Sequence, residues 1–157
     1  SQWKIPYAVN PFRHNVGWTA LEQGLTDAGY DPHRHFLFGD KYQTTSVLSF
    51  YAPMQKRAYF FNLEGARKNQ FSYWPGMPEE QLGKTGFFVR PENIPYLTRD
   101  PEKRIAWFLK ELHPYFDEVR YVGMVPLFES NGVMVKGAFL FKCIGYRGGE
   151  PADVNIY

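Results

Sequence analysis

The sequence predicts a single α/β domain: a mostly parallel sheet with helices packed on it and an antiparallel hairpin at its C-terminal end. Three observations favour this fold class. The 157 residues suit one domain with a full hydrophobic core. Candidate elements follow in the order helix, strand, helix, strand, strand, helix and hairpin, which is typical of α/β proteins. Asn131 and Gly132, between two apolar runs, are a strong signal for a two-residue hairpin turn.

The first predicted element is a helix that follows an extended segment. Residues 1–16 contain two prolines and scattered aromatics, so we expect an extended lead-in. The domain then covers residues 17–148, and a flexible tail covers residues 149–157. Asn15 is a candidate N-cap, and Gly29 suits the C-terminal stop. The apolar positions at helical spacing are Trp18, Leu21, Leu25 and Ala28.

Three apolar runs predict the strands of the sheet. They are "HFLFGD" at 35–40, "RAYFFNL" at 57–63 and "TGFFVRP" at 85–91. Between the first two runs, "YQTTSVLSFYAP" at 42–53 predicts a short helix that ends at its proline. Residues 64–86 contain prolines and glycines without a clear period, and we predict a loop there.

The clearest helix lies within "RDPEKRIAWFLKELHPYF". Asp100 is a natural N-cap, Pro101 suits the first helical position, and Pro114 ends the helix. Its apolar face comprises Ile105, Phe108, Leu109 and Leu112. The two strands of the predicted hairpin follow at 119–128 and 133–146. The element order therefore ends in an antiparallel pair.

Composition excludes several classes of partner. The net charge is +2, with 18 basic and 16 acidic residues interspersed, which is too small to indicate nucleic acid or an anionic membrane surface. No stretch reaches the roughly 18 apolar residues that span a bilayer, and we expect no signal peptide within these residues. Aromatic residues make up 18%, so part of the aromatic surface is expected to serve recognition.

Because the chain begins with Ser1, we expect it to be a processed or excised segment of a longer protein.

Neither the cysteine nor the histidines indicate a metal or cofactor. Cys143 is the one cysteine, so it forms no internal disulfide, and its apolar surroundings predict a buried structural thiol. His33 and His35 lie two residues apart without a pattern of carboxylate ligands around them. No Ser-His-Asp or Cys-His arrangement, zinc-protease motif or phosphate-binding loop is present. We therefore expect no metal, no cofactor and no catalytic residue set.

Polar residues gather after two of the predicted strands. In open α/β sheets, ligands bind beyond the carboxyl ends of the strands. If the first two strands are parallel neighbours, their polar ends share one rim, with the loop carrying Trp74 above it. Amides, charges and an indole together suit carbohydrate, because the ring packs on the C–H face of a sugar. The candidate ligand-binding residues are Asp40, Lys41, Tyr42, Gln43, Asn62, Arg67, Asn69, Gln70 and Trp74.

The same residues also have a structural interpretation. Asp40 is suited to cap the following helix, and Arg67 to pair with Asp40 or Glu64. Trp74, before Pro75, is suited to lie as a lid over the core. A third interpretation is a free-standing α/β enzyme acting on sugars or nucleotides, with Asp40 as the base, although no nucleophile or metal set accompanies it.

Three blocks carry a resemblance to a known family. "NPFRHNVGWTALEQGL", "FGDKYQTTSVLSFYAPMQKRAYFFNLEGARKNQFSYWPG" and "FLFKCIGYRG" resemble the C-terminal soluble segment of bacterial membrane glycosyltransferases of family 39. These enzymes are relatives of protein O-mannosyltransferases and of the aminoarabinose transferases that modify lipid A. Lys41 stands where the family usually has Arg, and Phe71 where it has Tyr. The matching positions are Asp40, Tyr42, Gln43, Phe50, Tyr51, Pro53, Asn62, Leu63, Arg67, Asn69, Gln70, Trp74, Pro75 and Gly76.

The resemblance implies a parent protein with membrane helices and a polyprenyl-phosphate-linked sugar as donor. The catalytic carboxylate of that family lies in the membrane portion, so this segment would not be the catalyst. It would lie on the extracytoplasmic (periplasmic) face of the bacterial inner membrane, beside its own membrane portion. There it would bind the acceptor or the glycan part of the donor, or brace the membrane helices.

The binding interpretation predicts that Trp74→Ala weakens glycan binding with little loss of fold, because the indole supplies contact area to a sugar. Tryptophan fluorescence titration with polyprenyl-phosphate sugars and cell-envelope glycans measures this. An absent response from the folded protein would count against glycan binding.

Overall fold

A mixed sheet of five strands forms the centre of the computed structural model. The strands are β1 (His35–Gly39), β2 (Tyr59–Phe60), β3 (Thr85–Asn93), β4 (Phe116–Ser130) and β5 (Val133–Tyr146). The described helices are α1 (Phe12–Asp27), α2 (Met77–Glu80), α3 (Pro101–Leu112) and the 3-10 turn His113–Tyr115. The structure describes residues 12–40, 45, 58–63, 76–93, 99–130 and 133–151, with the backbone alone for 12–18, 128–130 and 133–135.

The strand order is β2-β1-β3-β5-β4. β1 pairs in parallel with β2 and β3, whereas β5 pairs antiparallel with β3 and β4. Among the five described strands, β5 is thus the one that runs against the others. Ser130 pairs with Val133, as expected for strands joined by a hairpin, although residues 131–132 lie outside the described residues. The predicted fold class is confirmed.

Both faces of the sheet are covered, so the core has two layers. Successive residues of a strand point to opposite faces, and the layers divide β1 accordingly: Phe36 and Phe38 belong to the layer under α3, and Leu37 to the layer under α1. The α3 layer also contains Phe61, Phe88, Phe108, Leu112, Phe116, Phe139, Phe141, Cys143 and Tyr146. The α1 layer also contains Leu21, Leu25, Tyr30, Phe87, Val89, Ala138 and Leu140. Such two-sided burial explains why the strands read as apolar runs.

Helix α1 begins earlier than predicted. It starts at Phe12, so residues 12–16 are helical rather than extended, and Asn15 lies inside the helix rather than at its N-cap. The physical reason is that no helix breaker stands between Pro11 and Asn15. A single asparagine has only a weak preference against the helix interior, and the neighbouring residues override it.

The predicted stop of α1 at Gly29 agrees with the structure. Gly29 has φ 93°, its N–H donates to Thr26 O at 3.0 Å, and the Tyr30 N–H donates to Leu25 O at 2.8 Å. This pair of bonds is the Schellman pattern, in which a left-handed residue ends the helix. Leu25 of α1 and Tyr30 just after it are both buried in the α1 layer of the core. The turn therefore directs the chain toward β1.

The segment between β2 and β3 is not all loop. Residues 64–86 include the short helix α2, which sequence patterning did not predict. Pro78 suits a first turn, and the Gly76 N–H donates to Glu79 Oε2 at 2.7 Å. The predicted loop is wrong there because these local contacts start a helix even without an apolar period. The helix predicted over 42–53 lies outside the described residues, apart from the helical Thr45.

Helix α3 agrees with its prediction at both ends. The Asp100 carboxylate accepts the Lys103 N–H at 3.2 Å, Pro101 is the first helical residue, and the helix ends at Leu112, before Pro114. Phe108 is fully buried. The other predicted positions of the apolar face are the buried Leu112 and the partly buried Ile105 and Leu109. Local capping and helical periodicity are sufficient to determine this element.

Gly86 permits the close approach of an aromatic ring within the sheet. It pairs with Phe36 across β1 and β3. A Cβ built on Gly86 would lie 2.4 Å from Phe36 Cε2, well inside van der Waals contact. A strand glycine often marks such an approach, because no side chain then competes for the space.

We expect Gly86→Ala to destabilise the protein by about 1–3 kcal/mol, the usual cost of overpacking a core. Urea unfolding of the single variants and of the double variant with Phe36→Leu measures the coupling between the two positions. The cost of Gly86→Ala should shrink in the Phe36→Leu background. An equal cost in both backgrounds would contradict the proposed clash.

Candidate functional site

The carboxyl ends of β1 and β2 lie side by side, as the sequence analysis required. Phe38 pairs with Tyr59 and Gly39 with Phe60. The Phe61 N–H also donates to Gly39 O at 2.8 Å, continuing the ladder beyond the strands. The two segments that follow therefore leave the sheet at one edge.

Two of the predicted site residues lie within the described chain at this edge. Asp40 follows β1 directly, and Asn62 lies two residues after β2. Asp40 is 1% exposed and Asn62 is 3% exposed, so both belong to the interior. Outside the described residues lie Lys41, Tyr42, Gln43, Arg67, Asn69, Gln70 and Trp74. Their convergence on this edge stays a sequence-based prediction.

Asp40 forms a buried salt bridge with a residue that sequence analysis did not select. Arg90 Nη1 lies 2.5 Å from Asp40 Oδ2, and the two side chains are 5% and 0% exposed. Arg90 belongs to β3, the strand beside β1. A buried guanidinium and carboxylate satisfy each other's charge, which bulk water would otherwise do.

The salt bridge continues into a chain of alternating charges, which we call the ionic chain: Asp40, Arg90, Glu92 and Arg104. Arg90 Nε donates to Glu92 Oε1 at 3.0 Å. Arg104 on α3 donates to the same oxygen from Nε at 2.9 Å and from Nη2 at 2.7 Å. Two cations alternate with two anions, so the formal charge of the ionic chain is zero.

Both guanidinium groups of the ionic chain lie against one aromatic ring, that of Phe108. The Cζ atoms of Arg90 and Arg104 are each 5.2 Å from the ring centroid of Phe108. Cations at this distance from an aromatic ring are attracted by its electrons. The ionic chain is therefore packed into the α3 layer of the core as well as hydrogen-bonded within itself.

The topology of the sheet places the ionic chain where α/β proteins bind ligands. From β1 the chain goes on to β2, at one side of the sheet, whereas from β3 it goes on to α3 and β4, at the other. The carboxyl ends of two such diverging neighbours form a switch point. Asp40 follows β1, and Glu92 is near the end of β3. At this switch point the structure has the salt bridges of Arg90 with Asp40 and Glu92.

The sequence contains a signal for Arg90 and Glu92, the two β3 residues of the ionic chain. Phe88, Arg90 and Glu92 alternate along β3 and so share one face of the sheet. Two opposite charges on a buried face need partners on the elements that cover it. The Asp40–Arg90 pair joins residues 50 positions apart. Its identity depends on the strand order, which local patterns do not contain.

Cys143 and His35 both have structural surroundings. Cys143 is fully buried, and burial raises the pKa of its thiol well above the usual range, as suits the structural thiol predicted from the sequence. His35 Nδ1 accepts the Asp31 N–H at 2.9 Å. Desolvation, with the charges of Lys142 and Arg34, lowers the pKa of His35. Among the described residues, no group of three or more His, Cys, Asp or Glu side chains is placed to hold a metal ion.

No protein-family model, curated protein or solved structure matches this chain. The resemblance to family 39 accordingly stays a prediction from the sequence. Within the part of the chain that the structure describes, every helix is too short or too polar to span a bilayer.

We expect Arg90→Met to destabilise the protein by about 3–5 kcal/mol, because it leaves Asp40 and Glu92 buried without the cation between them. Arg120→Met is the matched control. Arg120 pairs with Glu118 at the surface, where the side chains are 57% and 49% exposed and solvent screens their attraction, so we expect a much smaller loss of stability. Urea unfolding measures both variants.

A combined variant tests the cause of that loss. Asp40→Asn, Arg90→Met and Glu92→Gln together remove the charges of the buried part of the ionic chain, so we expect part of the stability to return. An Arg90→Met cost no larger than that of Arg120→Met would show that the buried pair has no structural role.

Proposed function

We propose that this chain is a non-catalytic accessory domain of a polytopic membrane glycosyltransferase that uses a polyprenyl-phosphate-linked sugar. Its partner is the membrane portion of its own parent chain, on the extracytoplasmic face of the bacterial inner membrane. The sequence blocks that resemble family 39 support the parent enzyme. The ionic chain supports the non-catalytic role.

The burial of Asp40 is the observation that carries the proposal. A general base must come within hydrogen-bonding distance of the proton that it removes. The Asp40 carboxylate has no exposed side-chain surface and contacts Arg90 at 2.5 Å. A substrate would have to displace this guanidinium before reaching it. The geometry therefore favours a structural carboxylate over a catalytic one.

A purely structural domain that braces the membrane portion is the second candidate, and the same salt bridge favours it. Direct pairing of Asp40 with Arg90 is what a self-satisfied network at the strand ends requires. The two candidates share the absence of catalysis but differ in whether the domain contacts glycan. Binding measurements on the folded chain separate them.

The proposal predicts that the coding sequence upstream of Ser1 specifies several hydrophobic spans of roughly 20 residues each. It also predicts that the purified chain, given polyprenyl-phosphate sugar and acceptor, forms no product above the protein-free control. Sequencing of the gene and a product assay by mass spectrometry check these two outcomes.

A cooperative urea transition serves as the folding control for the assay. Turnover by the folded chain that Asp40→Asn abolishes would establish the free-standing enzyme instead. An upstream region without hydrophobic spans would remove the membrane glycosyltransferase as parent.

A further inference from the structure

A surface cavity of about 270 Å³ lies beside the first turns of α3. Its described lining residues are Arg99, Asp100, Lys103, Arg104 and Trp107. Lys103, Arg104 and Trp107 lie three or four residues apart and so share one face of α3, and Arg99 and Asp100 directly precede the helix. The volume is just below the roughly 300–1,000 Å³ of small-molecule sites. It suits one monosaccharide-sized group better than an oligosaccharide.

Trp107 gives the cavity an apolar wall that the core holds in place. Its ring packs edge-to-face on the buried Phe108, with the centroids 5.0 Å apart. Arg104 Cζ lies 6.0 Å from the centroid of the Trp107 ring, and Glu92 fixes its guanidinium. An indole and a guanidinium held by the interior form a wall that loses little freedom on binding.

The charge at the rim comes from side chains rather than from the end of the helix. The Asp100 carboxylate already accepts the Lys103 N–H at 3.2 Å, so α3 supplies its own cap. Within the described residues, neither the Arg99 guanidinium nor the Lys103 ammonium forms a salt bridge. Glu92 offsets the charge of Arg104, and Asp100 offsets one of the other two cations. The described lining residues, taken with Glu92, therefore carry a net positive formal charge.

We infer that this cavity binds an anionic monosaccharide unit, that is, a sugar ring bearing a carboxylate or a phosphate. Trp107 packs against the C–H face of the ring, and Arg99 and Lys103 pair with the anion. The inference deepens the proposed function and rests on it for the choice of a sugar. It places the glycan contact on α3, beside the ionic chain, rather than on Asp40.

Nuclear magnetic resonance of the ¹⁵N-labelled chain tests the inference. The chain has four tryptophans, and Trp107→Phe assigns the indole N–H signal of Trp107. The charged probes are glucuronate and glucose 1-phosphate, and the matched neutral and sugar-free probes are glucose and inorganic phosphate. We expect a saturable shift of the Trp107 signal with a charged sugar, at an affinity at least about tenfold above both controls. The preferred charged sugar distinguishes a carboxylate from a phosphate.

Two charge reversals on α3 complete the test. Lys103→Glu should weaken binding of the charged sugar by at least about tenfold. Lys110→Glu makes the same change at an exposed position of the same helix outside the cavity lining, and it should leave the affinity unchanged. Because both lysines are exposed, both variants are expected to fold.

The inference is overturned if no probe shifts the Trp107 signal, or if the two reversals weaken binding equally. Inorganic phosphate binding as tightly as glucose 1-phosphate, with no response to glucuronate, would also overturn the choice of a sugar. None of these outcomes affects the hydrophobic spans expected upstream, so they leave the proposed function to its own test.

Discussion

The burial of Arg90 is the constraint on which the carboxyl edge of this fold depends. A guanidinium that is 5% exposed retains its charge inside a protein only where carboxylates replace the lost water. Asp40 supplies one carboxylate from the end of β1, and Glu92 supplies the other from β3 itself. The order and register of the two strands are therefore tied to the pairing of charges. A one-residue slip of β3 would turn Arg90 toward the α1 layer.

The same row of β3 extends from aromatic packing into charge pairing. Phe88 contacts Phe108 with ring centroids 5.7 Å apart, and the guanidinium of Arg90, two residues later, lies over the same ring. Glu92 then reaches Arg104 on α3. Helix α3 is thus held to the sheet by one continuous row that changes from apolar to ionic at Arg90. Many of the aromatic residues that raised the expectation of a recognition surface pack in this layer instead.

How much of this architecture the sequence predicts depends on the range of the interactions. The cap at Asp100 and the stop at Gly29 are confirmed because each depends on contacts within a few residues. The predicted start of α1 is wrong, because a single asparagine at position 15 is a weak signal for an N-cap. Local patterns do not identify Arg90 as the partner of Asp40, because 50 residues separate the two. Seven of the nine proposed site residues lie outside the described residues, so their role in binding stays a prediction.

The proposed bracing and binding roles do not exclude each other in the arrangement around α3. Arg104 ends the ionic chain at Glu92 and also lines the cavity beside Trp107, with 29% of its side chain exposed. Because Glu92 offsets the charge of Arg104, the net charge of the described cavity lining comes from Arg99 and Lys103, partly offset by Asp100. In the inferred complex, Arg104 and Trp107 would meet the anionic sugar without further ordering, because Glu92 and Phe108 already hold them. Arg90 does not line the cavity itself. Its loss would accordingly disturb the position of Arg104 in the cavity wall, because Glu92 contacts both arginines.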